Sequence, residues 1–551
     1  VHLHLVRNGC GRYTFPVPTS EELLSVLRRY WGYDSFRPMQ QKIIAGLLAG
    51  RDVCVVMPTG GGKSLCYQLP ASMTPRRTVV VVSPLIALMQ DQVAQLTQMG
   101  ISAGLLNSSQ SRSEQSRVMQ QAAGGQFRLL YLSPERLNSS ETVAWLHQVP
   151  LQFFVIDEAH CISEWGHEFR PDYRQLSSLR SQFPDRPIAA FTASATRRVR
   201  HDIVGQLQLR DPHKLIASFH RPNLRYFVKE CASGSQNSLL FRALKNHPAG
   251  SIIIYSPTIA RVDQTVDLLR AQGMCAVAYH GQMDHQTRQR NQERWMSDEV
   301  RVLVGTIAFG LGINKPAVRA VIHLSLPKSI EQYYQEAGRA GRDGLPADCL
   351  LLWQKRDAGL LAHFIGQLTD PAEQEAAWQR YREIRNFAES QACRHRRICV
   401  HFGELPKWET CGACDVCAGL PDWMFVDVPR ARSSREKRKR TPKRERKDSA
   451  AAAAVSSVAP GRSAAAALAS MTPGNDDLRE RLRLWRQATA KERGIPAFVV
   501  MHDTSLDDLC RKRPASSREL QQVHGFGEKK TADYGRQILR VIADFRRSLS
   551  V

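Results

Sequence analysis

The stretch Val53-Cys54-Val55-Val56-Met57-Pro58-Thr59-Gly60-Gly61-Gly62-Lys63-Ser64 joins a short apolar run to a glycine-rich turn that ends on a lysine and a hydroxyl. An apolar run of this length, bounded by turn residues and followed by helical periodicity, predicts a buried strand leading into a helix. Consecutive glycines let backbone N–H groups converge on a polyphosphate, and a helix N-terminus adds its dipole. In that geometry Lys63 meets the β- and γ-phosphates of ATP and Ser64 ligates Mg²⁺, while Thr59, Gly60, Gly61, Gly62 and Leu65 border the nucleotide. The strict pattern has glycine where Met57 stands, so a plain glycine turn with an incidental Lys-Ser is the competing reading.

Working outward, apolar runs at 79–82, 129–132, 153–156 and 188–191 alternate with helical stretches. The alternation restarts at 252–255, 277–279, 302–304, 318–323 and 350–353. This predicts an α/β protein with two tandem parallel-sheet lobes, whose ligands sit in the loops at the carboxyl ends of the strands. One such loop is Asp157-Glu158-Ala159-His160. Asp157 there holds Mg²⁺ and Glu158 orients and deprotonates water; neighbours in extended backbone point opposite ways and can take two roles. In the second lobe, Gln335-Glu336-Ala337-Gly338-Arg339-Ala340-Gly341-Arg342 holds two arginines apart by small residues. A surface ion-pair helix is one reading; the other is that Arg339 and Arg342 reach the γ-phosphate across a cleft, with Gln335 completing the site.

The net charge of +24 on 551 residues attracts polyanions, nucleic acid first, although a solvated basic surface has the same composition. No run has the length of a membrane span, and the first twenty residues carry arginines and prolines without the apolar core of a secretory signal. A cytoplasmic location is expected, nucleoid-associated if the source is bacterial. Most of the thirteen cysteines lie inside apolar runs, a reduced intracellular pattern. Cys411, Cys414 and Cys417 form a C-x2-C-x2-C run with Cys393 upstream, which suits four-thiolate Zn²⁺; an iron–sulfur cluster is the rival, and Cys399 competes with Cys393 as the upstream ligand.

Arg430–Asp448 carries eleven Lys/Arg against three acids, and Ala450–Ser470 is Ala/Ser-rich. Such a stretch cannot bury enough apolar surface to order itself and reads as a linker; its charge fits non-specific DNA binding or a targeting signal equally. Apolar periodicity returns from Asp476 as a small helical domain, in which Gly525-Phe526-Gly527-Glu528-Lys529-Lys530 offers N–H groups and lysines to phosphate, or is a plain interhelical turn.

Together these motifs resemble superfamily-two helicases, and within them the RecQ family, from about residue 25 to 417 and again from 476. Trp31-Gly32-Tyr33-Asp34-Ser35-Phe36-Arg37-Pro38-Met39-Gln40 resembles the family's adenine motif, implying that Tyr33 and Arg37 sandwich the base and Gln40 reads its edge. The loop Ser83–Met89 resembles a strand-contacting motif and the stretch Gly305–Pro316 one that touches both DNA and nucleotide, implying DNA contacts at Ser83 and Thr306 and a nucleotide contact at Gly312. Cys161–Tyr173 resembles the RecQ aromatic-rich loop, implying that Trp165, His167, Phe169 and Arg170 sense single-stranded DNA. The resemblance favours zinc at the cysteines and identifies the tail as HRDC-like. It implies six regions: an extension (1–20), two RecA-like lobes (21–210 and 211–356), a zinc module (357–420), the linker (421–475) and the tail (476–551). The family's winged-helix domain has no room in 421–475. The implied activity is a 3′-to-5′ ATP-dependent DNA helicase acting on single-stranded and tailed or branched duplex DNA in recombination and repair, with repair proteins as candidate partners of the linker or tail. An RNA-dependent ATPase of the same superfamily and an annealing protein with a vestigial ATPase are the rivals.

Overall fold

The computed structural model describes residues 6–7, 13–14, 18–108, 110–166, 170–232, 234–306, 315–425, 477–493 and 497–549. The linker predicted at 421–475, beyond its first few residues, therefore lies outside the described residues, as do His167, Phe169 and Gly312.

A two-residue ladder pairs β1 (Val6–Arg7) with β2 (Tyr13–Thr14). Lobe one then builds a seven-stranded sheet from β3 (Val53–Val56), β4 (Thr78–Val82), β5 (Ala103–Leu106), β6 (Leu129–Leu132), β7 (Leu151–Ile156), β8 (Ile188–Thr192) and β9 (His213–Ile216). Their spatial order is β5-β6-β4-β7-β8-β3-β9, with every pair parallel. The central strands are wholly buried because helices cover both faces: Val53 and Val55 pack into one apolar cluster, and Cys54 and Val56 into another. The boundary between lobes falls later than residue 210. His213–Ile216 pairs with β3 and closes lobe one, its alternating exposure marking it as an edge strand.

Lobe two repeats the plan with β10 (Leu224–Glu230), β11 (Ser251–Tyr255), β12 (Ala276–Tyr279), β13 (Val302–Gly305), β14 (Val318–His323) and β15 (Ala347–Trp353), ordered β10-β15-β14-β11-β13-β12 and again all parallel. The apolar cluster under β3 runs on through Phe219 into lobe two (Ile253, Tyr255) and into the cysteine module (Phe402, Cys399). The lobes and module thus share one core.

The cysteine module, with its helix Pro371–Glu389, is fastened to both lobes. Arg197 and Arg200 of lobe one donate to the Gly403 and Phe402 carbonyls (3.1 and 3.0 Å). Glu404 accepts from the Ser218 hydroxyl and the Phe219 N–H (2.6 and 2.8 Å), and Phe402 stacks on Phe219 at 4.3 Å. Asp415 accepts from Val228 N–H on β10 at 3.2 Å while pairing with the buried Arg394 at 2.9 Å. The C-terminal domain (477–549) has its own core around Leu482, Leu506, Phe526 and Ile538, and it docks back on both lobes.

Candidate functional site

Three loops meet at the carboxyl end of lobe one because β7, β8 and β3 are sheet neighbours. The glycine loop leaves β3 and opens the helix Lys63–Met73. Its glycines answer different constraints. Gly60 and Gly62 sit at φ +81° and +84°, where L side chains are strained, and a Cβ on Gly61 would lie 2.5 Å from Met57 Cγ. Met57, the departure from the strict pattern, is buried beneath the loop, and its carbonyl accepts from Lys63 Nζ at 3.1 Å. Burial lowers the Lys63 ammonium, opposed by the Glu158 and Asp157 carboxylates.

Asp157 follows β7 and is buried; desolvation and the adjacent Glu158 push its carboxyl up to about 7, against the pull of Lys63. Glu158 is not in extended backbone as the sequence implied. It turns left-handed (φ +46°) and its N–H donates to Asp157 Oδ1 at 3.0 Å, yet both carboxylates line the same cleft. Ser64 and these carboxylates are hard oxygen donors facing one space, which fits Mg²⁺. Behind them His160 Nδ1 lies 3.3 Å from Glu158 and 2.9 Å from the Thr192 hydroxyl at the end of β8, connecting the carboxylate loop to Thr192–Thr196.

Lobe two forms the opposite wall. A Cβ on Gly60 would lie 3.3 Å from Arg342 Cγ, so the arginine turn abuts the glycine loop. Gln335 Nε2 donates to the Ser194 hydroxyl across the cleft at 2.9 Å. Arg339 is buried, and burial with neighbouring Arg339 and Arg221 pulls the Arg342 guanidinium down to about 9. The cleft, about 950 Å³, is lined by Lys63, Asp157, Glu158, Gln335, Arg339 and Arg342 together.

Arg221, in the connection between the lobes, escaped the sequence reading. Its guanidinium donates to the carbonyls of Gly338, Ala340 and Gly341 (2.9, 2.9 and 3.0 Å) and, more weakly, to that of Thr59 (3.4 Å), clasping the arginine turn to the glycine loop. These acceptors are all backbone oxygens, so no residue pattern announces the clasp.

At the base end, Gln40 is buried; its Oε1 accepts from Arg37 N–H (2.8 Å) and its Nε2 donates to the Gly62 carbonyl (3.1 Å). Arg37 also donates to the Gly60 carbonyl. Gln40 therefore ties the adenine motif to the phosphate loop, and Tyr33 lines the same cleft. Leu65 is buried in the first turn of the helix Lys63–Met73.

In the aromatic loop, Trp165 is 50% exposed, with the Arg198 guanidinium 3.1 Å over its ring. Arg170 donates to the Pro84 carbonyl at 3.4 Å, joining the aromatic loop to the loop that begins at Ser83. Ser83 is buried at the end of β4, and Thr306 N–H follows β13 and donates to the Tyr279 carbonyl at 3.3 Å. The ligand sulfurs of Cys393, Cys411, Cys414 and Cys417 all lie within 4.8 Å of one another, a set of soft donors that fits Zn²⁺. Backbone N–H groups of Arg394 and Ala413 point at two of them (3.5 and 3.4 Å). Cys399 is buried outside this set.

The turn 525–530 is split between an exposed part, Glu528 and Lys529, and a part packed against lobe one. Phe526 and Lys530 are buried, and Gly527 is pressed against the helix Ser20–Trp31 of lobe one, where a Cβ would come within 2.5 Å of the Arg29 carbonyl.

Family models match consecutive parts of the chain: DEAD/DEAH box helicase (residues 37–203), helicase conserved C-terminal domain (235–344), RecQ zinc-binding (355–418) and HRDC domain (475–542). The ATP-dependent DNA helicase RecQ of Haemophilus influenzae is 34% identical, over 96% of this chain and 96% of its own length. That of Bacillus subtilis is 33% identical over 95% and 98%. Among solved structures, Saccharomyces cerevisiae Dbp5 bound to RNA and ADP BeF3 superposes with a TM-score of 0.51 at 17% identity, covering 66% of this chain and 92% of that one, a likeness of fold.

Proposed function

Because this chain belongs to the RecQ family of ATP-dependent DNA helicases, we propose that Lys63, Asp157, Glu158, Gln335, Arg339 and Arg342 carry out its ATPase cycle in the cleft between the lobes. The enzyme is an ATP-dependent DNA helicase that uses ATP, Mg²⁺ and Zn²⁺. Its 3′-to-5′ polarity and its place in recombination and repair are those of the family.

Tyr33 and Arg37 hold the base, and the loop from Thr59 to Leu65 wraps the phosphates with N–H donors. Lys63 binds the β- and γ-phosphates. Ser64 and Asp157 would hold the Mg²⁺ that neutralises phosphate charge. Glu158 takes the proton of the water that attacks the γ-phosphorus, while the bond to the bridging oxygen breaks and ADP leaves. Arg339 and Arg342 balance the charge spread over the transferred group. Since those arginines ride on lobe two, the lobes close on ATP and relax after hydrolysis. Gln335 on Ser194 and Arg221 on both loops transmit that motion. Trp165 stacks on a base of the tracked strand, and His167, Phe169, Arg170 and Thr306 are further contacts to it, whereas Ser83, being buried, shapes its loop from within. Single-stranded and tailed or branched duplexes are the substrates, the basic 430–448 stretch adds non-specific affinity, and the cytoplasm is the place of action. Strand separation without a winged-helix domain is part of this proposal.

The observation that carries it is the contact of Gly60 with Arg342, which brings both lobes to one phosphate site. The test is unwinding of tailed duplexes, forks and four-way junctions, with hydrolysis stimulated by DNA and by RNA in parallel. Greater stimulation by DNA, and unwinding lost in Lys63→Ala, is expected. Equal stimulation by RNA, or unwinding untouched in Lys63→Ala, contradicts it.

A further inference from the structure

The nucleotide cleft has a third wall. Besides both lobes, it is lined by His502, Asp507, Asp508, Lys512, Gln522 and His524 of the C-terminal domain. Of these, His524 reaches the base end, where its imidazole stacks on Tyr33 with ring centroids 4.5 Å apart and planes 28° from parallel. The position of His524 is fixed from within its own domain, since its N–H donates to Asp508 Oδ2 at 2.8 Å, and Asp508 is paired with Lys512 at 2.8 Å.

The docking that puts His524 there is backbone against backbone. Gly32, which ends the helix Ser20–Trp31, faces the Phe526 main chain, where a Cβ would stand 2.7 Å from the Phe526 nitrogen. Gly527 faces the Arg29 and Tyr30 carbonyls, with clearances of 2.5 and 2.8 Å for a Cβ. Arg29 and Glu528 pair at the rim at 3.3 Å. The same domain holds lobe two through Gln487 on the Ser297 carbonyl (2.7 Å) and the buried Arg486 on Asp298 (3.6 Å), beside the Lys315–Asp298 pair (2.7 Å). Two glycines with no room for a side chain, on facing surfaces, mark a built interface. A domain that grips both lobes reads the distance between them.

We propose that the docked C-terminal domain is the outer wall of the base subsite, with His524 holding Tyr33, so that base binding and domain docking reinforce each other. The proposal rests on the nucleotide-site reading above. By linkage, whatever the docked domain adds to nucleotide affinity, the nucleotide adds to docking. The phosphate end is built from the two lobes and does not depend on this wall.

The test uses the full chain and three single variants: His524→Ala removes the stacked ring, Gly527→Ala wedges the interface and Lys63→Ala is the control. Gly527 is not in the left-handed region and its close neighbours belong to lobe one, so the alanine strains the interface and not the domain. Equilibrium affinities are read for fluorescent ADP and, by competition, for inorganic tripolyphosphate. In His524→Ala and Gly527→Ala the ADP Kd is expected to rise at least about fivefold, the lower end of typical coupling, while tripolyphosphate affinity stays at wild type. Lys63→Ala weakens both ligands. Unchanged ADP affinity in the two C-terminal variants, tighter ADP binding, or parallel loss of ADP and tripolyphosphate each overturns the proposal. Full retention of both ligands by Lys63→Ala overturns the nucleotide-site reading itself.

Discussion

Glu158 stands at φ +46°, a backbone state that costs a non-glycine residue on the order of 1–3 kcal/mol and persists where surrounding structure enforces it. Here Asp157 accepts its N–H and His160 lies beside its carboxylate, both holding it at the cleft. Glu158→Gln keeps the shape but removes the proton acceptor, so phosphate-release assays are expected to show kcat down by roughly 10²–10⁴ with ADP affinity retained. Arg221 acts at one remove, by positioning. Arg221→Ala frees the arginine turn from the glycine loop and is expected to lower kcat more than it raises KM, and Arg221→Lys does not rescue because an ammonium lacks the planar fork. A Lys variant with wild-type kcat contradicts that role. That Lys63, Asp157, Arg339 and Arg342 meet at one cleft was legible in the sequence, because phosphate chemistry constrains residue type and spacing. Arg221 was not, since carbonyl acceptors leave no trace in side-chain identity, and the left-handed turn at Glu158 was hidden because glutamate gives no backbone cue.

At the scale of elements, the sequence revealed the strands buried on both faces, such as the apolar runs ending at Val82 and Ile156, and of the four edge strands only Ala276–Tyr279. Ala103–Leu106 and Leu224–Glu230 lie at sheet edges, and His213–Ile216 is a half-exposed edge with two basic residues. Edge strands bury one face, and their apolar signal is correspondingly thin. The cysteine module is anchored at Asp415 and Glu404, and its closed set is Cys393 with the three downstream thiols. Cys393→Ser is expected to lose bound zinc and lower Tm, whereas Cys399→Ser keeps one zinc per chain by metal analysis. Zinc retained in the first and lost in the second reverses the ligand choice. In the aromatic loop, Trp165 is capped by Arg198 from the helix that follows Thr192–Thr196. Trp165→Ala is expected to bind single-stranded DNA while losing DNA-stimulated hydrolysis; a wild-type stimulation ratio counts against the assignment.

The whole molecule wraps a cleft from three sides, and this closure was the least legible feature. Periodicity reports which face of a helix is buried but not against which domain, so the turn at 525–530 read equally as a phosphate-binding loop or a plain interhelical turn, and the packing of Phe526 and Gly527 on lobe one could not be foreseen. The net charge of +24, a third of it between Arg430 and Asp448, is a property of the entire chain. Affinity for single-stranded DNA is expected to fall steeply with salt, by roughly 10³–10⁵ between 50 and 200 mM if six to ten phosphates are neutralised. A nearly flat salt dependence contradicts a charge-driven grip.

The central claim is that one nucleotide is held between Lys63 and Glu158 on one sheet and Arg342 on the other. Single-turnover hydrolysis by Arg342→Ala, at saturating ATP and single-stranded DNA, tests it most directly. A finger from the second lobe predicts a rate lower by about 10³-fold or more, with ADP still bound. A rate matching wild type would mean that lobe one hydrolyses ATP alone.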